Sequence, residues 1–296
     1  MPRPKLVVLG NACRDVIYRL DRLPKPGETL IAREVVTDLG GKGLKQAVAA
    51  RRAGADAHLI AALGDDATAE RIRALLHAEG MDDRGLIGED GSSDESLLLI
   101  DAEGENFIMS STQKAQGLTP AHIEAALTGV LDGTDMLLLQ GNLTRETTAH
   151  AMTLAHAAGV QIAVNPSPFQ AWFTTTPRAD LIIANQVEAD ALGALNADIA
   201  VVTLGRRGCR ITSADRPAID VPAPEVHAIA TGGAGDVFAG TFIAEFLMSG
   251  DPRRAARLAV QAASDKATRP GTLSAFPGRS AIDGWRRDLL AHETSS

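Results

Sequence analysis

The sequence predicts a doubly wound α/β protein, a mostly parallel sheet flanked by helices with a small inserted β lid. Three observations carry that prediction. Short apolar runs at 6–10, 59–63, 136–139, 161–164, 181–184 and 199–204 show no polar alternation. Strands of that kind are covered on both faces, the usual condition of parallel strands. Helical patterns lie between the runs, and the alternation of the two is how a doubly wound sheet reads in sequence. Finally, two stretches, 15–39 and 96–110, alternate apolar and polar residues around turn-forming centres, as hairpins exposed on one face do.

Taken in order, the run 6–10 opens the sheet. Segment 15–39 then folds about Pro24-Lys25-Pro26-Gly27-Glu28-Thr29. The pattern at 67–79 places Ile72, Leu75 and Leu76 on one face, and Gly80 supplies the stop. The second hairpin turns about Asp101-Ala102-Glu103-Gly104. Thr119 and Pro120 give an N-cap and a first-turn proline ahead of Ile123, Ala126, Leu127 and Val130. The C-terminal third reads as three helices, 234–248, 252–268 and 280–291, parted by Gly250-Asp251-Pro252 and Arg269-Pro270-Gly271. No internal repeat or low-complexity stretch intervenes, so residues 1–296 are expected to form one domain carrying the two lid segments.

Composition narrows the function. The 296 residues are 45% hydrophobic, ample for a sizeable core. The net charge of -8 opposes binding to polyphosphate backbones, and no basic stripe with interleaved aromatics offsets it. Nucleic acid is therefore excluded as a partner. No apolar run approaches the roughly 20 residues that span a bilayer, and the start at Met1 shows no leader pattern. Two distant cysteines, Cys13 and Cys209, offer neither a disulfide framework nor metal-ligand spacing. The histidines form no metal motif either. The expectation is a cytoplasmic protein without membrane partners. Arg253, Arg254 and Arg257 read as a solvated helix face.

Two glycine-rich segments carry the chemistry. Ala230-Thr231-Gly232-Gly233-Ala234-Gly235-Asp236 feeds an apolar helix. Glycines let backbone amides approach an anion, and a helix N-terminus favours negative charge there. A carboxylate at that mouth repels a phosphate, which makes sense for a general base that takes a hydroxyl proton during phosphoryl transfer. The alternative is that Asp236 caps the helix. No Gly-Lys-Ser/Thr follows, so the segment is not a Walker loop. The second segment, Gly40-Gly41-Lys42-Gly43 with Lys45 and Gln46 beyond, suits a polyhydroxyl or phosphate-bearing ligand or, alternatively, a tight turn before a closely packed helix.

Together these segments resemble the two signatures of the ribokinase-like, or phosphofructokinase-B, carbohydrate kinases. The likeness runs almost end to end and includes Pro24 through Thr29, Gly64-Asp65-Asp66, Asn185 with Glu188, Thr203-Leu204-Gly205 with Gly208, and the loop 269–277. It implies ATP-dependent phosphorylation of a sugar-like alcohol on a Rossmann-like body, with lid-to-lid homodimers. Residue by residue, it implies that Asp236 is the base and that Gly233, Ala234 and Gly235 form the anion hole. Asp15, Gly41 and Lys42 hold sugar hydroxyls, and Thr203, Gly205 and Gly208 edge the nucleotide pocket. Asn185 and Glu188 organise phosphate and Mg²⁺, through water because Mg²⁺ keeps its hydration shell. Read without the resemblance, Glu188 is a solvated helix-start carboxylate and Asn185 a strand-end turn.

The chain also departs from the family pattern. Cys13 stands where a sugar-gripping Asn is usual, Lys45 replaces another Asn, and Asn142 replaces a Glu. An added ammonium beside Lys42 favours a polyol or sugar bearing an acidic or strongly accepting group, unless Lys45 points to solvent. Ala230 replaces an Asp that helps to hold a monovalent cation behind the anion hole, which puts potassium activation in doubt. Lys266 falls near that cation site and either supplies the missing charge or faces solvent. Between Glu188 and Thr203 a helix is missing, so residues 189–195 have to serve as a minimal crossover. Competing functions are a nucleoside or sugar-phosphate kinase and a catalytically impaired sugar- or nucleotide-binding regulator. A dinucleotide-dependent oxidoreductase is disfavoured because the first strand is not followed by Gly-x-Gly-x-x-Gly.

Overall fold

The computed structural model describes residues 2–103 and 106–293. Gly104, in the second expected turn, lies outside the described residues, as does Met1. In chain order the elements are β1 (Lys5–Leu9), β2 (Cys13–Arg19), β3 (Glu34–Gly40), α1 (Lys42–Arg52), β4 (Asp56–Leu63), α2 (Ala67–Ala78), β5 (Leu86–Gly88), β6 (Asp94–Ile100), β7 (Asn106–Ser110), α3 (Gln113–Gly117) and α4 (Pro120–Leu127). There follow β8 (Met136–Gln140), α5 (Arg145–Ala157), β9 (Gln161–Asn165), β10 (Ala179–Asn185), α6 (Gln186–Leu192), β11 (Ala197–Thr203), β12 (Cys209–Ser213), β13 (Arg216–Val221), α7 (Ala234–Ser249), α8 (Pro252–Ala267) and α9 (Arg279–Glu293).

The larger sheet has the order β13-β12-β11-β10-β9-β8-β1-β4-β5. From β11 to β5 every pairing is parallel, and β12 and β13 add an antiparallel edge. Its strands lack polar alternation because both faces are buried. In β1, Leu6 and Val8 enter the core beneath α1, α2, α7 and α8, whereas Val7 and Leu9 enter the core beneath α4 and α5. Helices α1 and α7 pack with unusually close backbones at Gly240, where a Cβ would lie 2.5 Å from the Gln46 carbonyl oxygen.

The smaller sheet, ordered β3-β2-β6-β7, is the lid. Its two hairpins join through a parallel β2–β6 pairing. Cross-strand partners share a face, so Asp15, Ile17, Ser96, Leu98 and Asp38 lie on one side and Val35, Tyr18, Leu99 and Phe107 form a row on the other.

Local sequence signals account for the joints. Asp66, from the Gly-Asp-Asp motif, caps α2 by accepting from Ala69 N, and it also accepts from Ser93 N and Oγ, clasping the chain just before β6. Thr119 and His122 close a capping box at the start of α4. The short crossover is made by α6 alone, and β10 and β11 still pair in parallel from Ala179↔Ala197 to Asn185↔Thr203.

The arginine cluster corrects a sequence reading. Arg253 and Arg257 are exposed, but Arg254 is half-buried. Its Nε lies 2.6 Å from Oε1 of the fully buried Glu245 on α7.

Candidate active site

The loops at the carboxyl ends of the parallel strands form the site, as expected of an open α/β sheet. Beyond β1, the Asn11 side chain accepts from Lys42 N at 2.8 Å and so fixes the start of α1. Gly41 precedes that helix with φ 92°, and a Cβ there would lie 2.6 Å from the Asn11 carbonyl oxygen. Only glycine fits.

Asp236 lies in the first turn of α7 with 6% exposure. Its carboxylate does not cap the helix. Gly233, at φ 85° and ψ -5°, is the N-cap residue and supplies no side-chain cap, and the Ala234 and Asp236 amides donate to the Thr231 and Gly233 carbonyls at 3.0 and 3.1 Å. Instead Asp236 Oδ1 accepts from Gln46 Nε2 at 3.0 Å and lies 3.5 Å from Lys42 Nζ. The fully buried Gln46 amide also donates to Asn165 Oδ1 at 2.8 Å and accepts from Gln140 Nε2 at 3.0 Å. Three strand- and helix-borne amides thus fix one carboxylate.

Beneath the lid, Asp15 is almost fully buried. Its carboxylate occupies the space that a side chain at Gly40 would need, 2.0 Å from an ideal Cβ. Oδ2 accepts from Lys45 Nζ at 2.6 Å, so Lys45 does not point to solvent. Burial works against the Lys45 ammonium, yet Asp15 and Asp236 outweigh it and raise its pKa. The Cys13 sulfur lies 3.5 Å from Ser96 Oγ and 3.7 Å from Asp15 Oδ1. Burial and the neighbouring Asp15 push this thiol up to about 12, so it remains protonated. Asn142, two residues beyond β8, is buried, and its Oδ1 has no hydrogen-bond partner.

This arrangement answers the open question about Lys45, which pairs with Asp15 and does not face solvent. The two ammonium groups, Lys42 and Lys45, face the two carboxylates, Asp236 and Asp15. Lys45 forms a buried ion pair with Asp15. Lys45→Met is therefore expected to destabilise the fold by about 3 kcal/mol, because it strands a buried carboxylate. Chemical denaturation of Lys45→Met and of Lys45→Met/Asp15→Asn checks this: the double variant should recover part of the loss, and equal losses would refute the coupling.

On the other side of the α7 N-terminus lies a cavity of about 750 Å³ lined by Thr203, Gly205, Gly208, Ala234, Gly235 and Phe238 among others. A Cβ at Gly235 would meet nothing within 4 Å. Asn185 and Glu188 do not line this cavity. They form a reciprocal capping box on α6, with Glu188 N donating to Asn185 Oδ1 at 2.8 Å and Asn185 N donating to Glu188 Oε2 at 2.9 Å. Glu188 is buried rather than solvated, and Asn185 pairs in register with Thr203. Among the described residues there is no group of three or more His, Cys, Asp or Glu fit to hold a metal ion alone.

Behind the glycine loop before α7, Lys266 is fully buried. Its Nζ donates to the Ala230 carbonyl at 2.8 Å and the Gly271 carbonyl at 2.9 Å. Burial, with Lys45 and Arg269 nearby, lowers its pKa to about 8.

Several site residues carried no assigned role in the sequence. Gln46 sits inside the first signature, and Asn11, Gln140 and Asn165 each end or follow an apolar strand. A polar side chain closing a run of buried hydrophobes was the available signal.

A helix N-terminus that opens onto a cavity on one side, and carries a fixed, buried carboxylate on the other, is built for phosphoryl transfer between two ligands. Residues 3–278 match the pfkB family carbohydrate kinases, and the chain belongs to that family. It is 28% identical over 293 residues to a deoxyribokinase of Salmonella typhi, with 92% of this chain and 95% of the relative covered. It is also 28% identical over 288 residues to a ribokinase of Bacillus subtilis, with 94% and 98% covered. Ribokinase from Giardia lamblia has the same fold, with a TM-score of 0.84 at 22% identity over 97% of this chain and all of that one, 100%. The protein is a carbohydrate kinase that phosphorylates a sugar hydroxyl with ATP.

Proposed function

We propose that the acceptor is a neutral sugar or sugar-like alcohol held between the lid and the α7 N-terminus, with Asp236 as its general base. The observation that supports this reading most is the Asp236 carboxylate, oriented by Gln46 and balanced by Lys42. In this reading Asp15, Lys42 and the Gly41 backbone hold acceptor hydroxyls, and the unpaired Asn142 Oδ1 accepts from another. Asp236 takes the proton of the hydroxyl aimed at the phosphoryl group. The α7 N-terminus at Gly233, Ala234 and Gly235 meets the charge on the group in transfer, and the nucleotide lies along Thr203, Gly205 and Gly208. Positioning and charge stabilisation supply the acceleration.

The fit for Mg²⁺ rests on oxygen donors. Glu188 accepts from the Asn185 N–H through Oε2, and its other oxygen would hold the ion through water. When bound, Mg²⁺ neutralises phosphate charge.

The reading extends to assembly and place. The 296 residues act as one kinase domain with lid segments 15–39 and 96–110, and the outer lid row of Val35, Tyr18, Leu99 and Phe107 packs on the same row of a second copy. Val35 and Phe107 are 52% and 53% exposed, an apolar stripe that crosses four strands. Sedimentation should give a dimer, and Phe107→Lys should give a monomer; a monomeric wild type refutes this. The enzyme works in the cytoplasm, where ATP is supplied and where Cys13 and Cys209, both free, stay reduced. Among the described residues no helix is long and apolar enough to cross a membrane.

The test is sugar-dependent ADP release with ATP and Mg²⁺ across pentoses, hexoses, nucleosides, sugar acids and sugar phosphates, with Asp236→Asn beside wild type. Turnover of a neutral sugar that the variant loses supports the reading. Turnover confined to sugar acids or sugar phosphates overturns the neutral acceptor, and retention in the variant overturns the base.

A further inference from the structure

The family likeness implies a monovalent cation behind the anion hole, and this chain does not fit one. The carboxylate position is Ala230, and the Ala230 and Gly271 carbonyl oxygens already accept hydrogen bonds from a side-chain ammonium. We propose that Lys266 is a tethered replacement for that cation, a positioning residue that holds the anion-hole loop, ties it to the lid and makes the kinase independent of potassium. The inference rests on the kinase reading and deepens it.

The geometry around Ala230 supports the first half. Its N–H, with that of Ile229, donates to the Ala267 carbonyl at the end of α8, at 3.1 and 2.8 Å. Its carbonyl accepts from Lys266 Nζ one residue earlier on the same helix. The last turn of α8 therefore grips both polar groups of the residue that starts the loop. Donor distances of 2.8 and 2.9 Å are those of charge-assisted hydrogen bonds. The lysine stem runs directly under the hole, since a Cβ on Gly233 would lie 3.9 Å from Lys266 Cε. A positive charge there adds to the α7 N-terminus in the field felt by a phosphoryl group.

The link to the lid follows from the other carbonyl. Gly271 leads into Thr272 and Ser274, whose backbone N–H groups and hydroxyls all donate to Asp38 Oδ2, at 2.7 to 3.1 Å. Asp38 lies on lid strand β3. Burial acts to raise its pKa, and those hydrogen bonds from Ser274 and Thr272, with one from Leu39, prevail and lower it. One continuous set of bonds thus runs from the lid through Asp38, the loop 271–274, Lys266 and Ala230 to the anion hole.

The experiment combines initial rates with calorimetric binding of Mg-ADP in sodium, potassium, ammonium and tetramethylammonium chlorides. Wild type should show rates and ADP affinities that agree within about twofold across the series. Lys266→Met, which keeps the bulk and loses the charge, should lose about a hundredfold in kcat, as expected when a charge-stabilising donor is removed, and no salt should restore it. Lys266→Ala opens the space, and potassium or ammonium should restore both ADP affinity and rate where tetramethylammonium does not. Several-fold activation of wild type by potassium overturns the proposal, as does wild-type behaviour of Lys266→Met. If the variants fail to fold, the wild-type salt series alone decides. A wild type that turns over no sugar in any salt instead overturns the kinase reading on which the inference rests.

Discussion

Asp236→Asn is expected to lower kcat by about 10²- to 10⁴-fold, the range for loss of a positioned general base. Asparagine keeps the shape and an oxygen for Gln46 Nε2, which now holds Asp236 Oδ1 at 3.0 Å. The buried amide network through Asn165 and Gln140 therefore stays intact. What disappears is the proton acceptor and the charge facing Lys42 at 3.5 Å. The KM for sugar should change only a few-fold, because Asp15 and the Gly41 backbone are untouched. The alternative role as a helix cap predicts the reverse. Asn caps as well as Asp, so a capping Asp236 would tolerate the change with near wild-type kcat. Steady-state kinetics on the folded variant separates the two. Gln46→Leu adds a second check, since it frees the carboxylate without removing it and should cost less than Asp236→Asn.

The parts legible in sequence were those written in local patterns. The strand β1 could be read because Leu6, Val7, Val8 and Leu9 fill two cores on opposite faces, which leaves no polar position in the run. The glycine loops could be read because their backbone demands are local: Gly41 abuts Asn11 and Gly233 turns the chain into α7. Pairings between distant residues were another matter. Lys45 reads as free positive charge because its partner, Asp15, lies 30 residues away on lid strand β2 and is met only in the folded chain. Gln46, in a helix of small residues, carries no mark of being the buried hub for Asp236, Asn165 and Gln140. The capping box of Asn185 and Glu188 was within reach of sequence rules, since Asn followed three residues later by Glu is its signature; the family likeness drew attention to phosphate and Mg²⁺ instead. Arg254 failed as a surface residue for the same reason as Lys45. Charge clusters are read by default as solvated, and nothing in 252–268 reports a buried acid on the preceding helix.

That acid gives the largest expected effect on stability. Glu245 is fully buried on α7, with Arg254 Nε of α8 2.6 Å from Oε1 and Arg286 Nε of α9 donating to Oε2 at 2.7 Å. One carboxylate thus joins three helices. Glu245→Ala removes the carboxylate shared by both guanidinium groups, leaving Arg254 facing a cavity while Arg286 keeps Asp283 Oδ1 and the Ala53 carbonyl, each at 2.5 Å. Breaking a buried ionic cluster from one side costs about 3–5 kcal/mol, far more than the net worth of the intact cluster. The midpoint of guanidinium denaturation should fall accordingly, with an unchanged slope. Catalysis should scarcely change under conditions where the variant is folded, because nine residues of helix, about 14 Å, separate Glu245 from Asp236. Two acids are buried on one helix, and the two variants are expected to separate a proposed catalytic role for Asp236 from a structural one for Glu245. A Glu245→Ala variant as stable as wild type would mean that Arg254 finds water when the carboxylate goes. Glu245→Ala/Arg254→Met distinguishes that outcome from a compensating contact, since it should regain part of the lost stability only if the stranded charge was the cause.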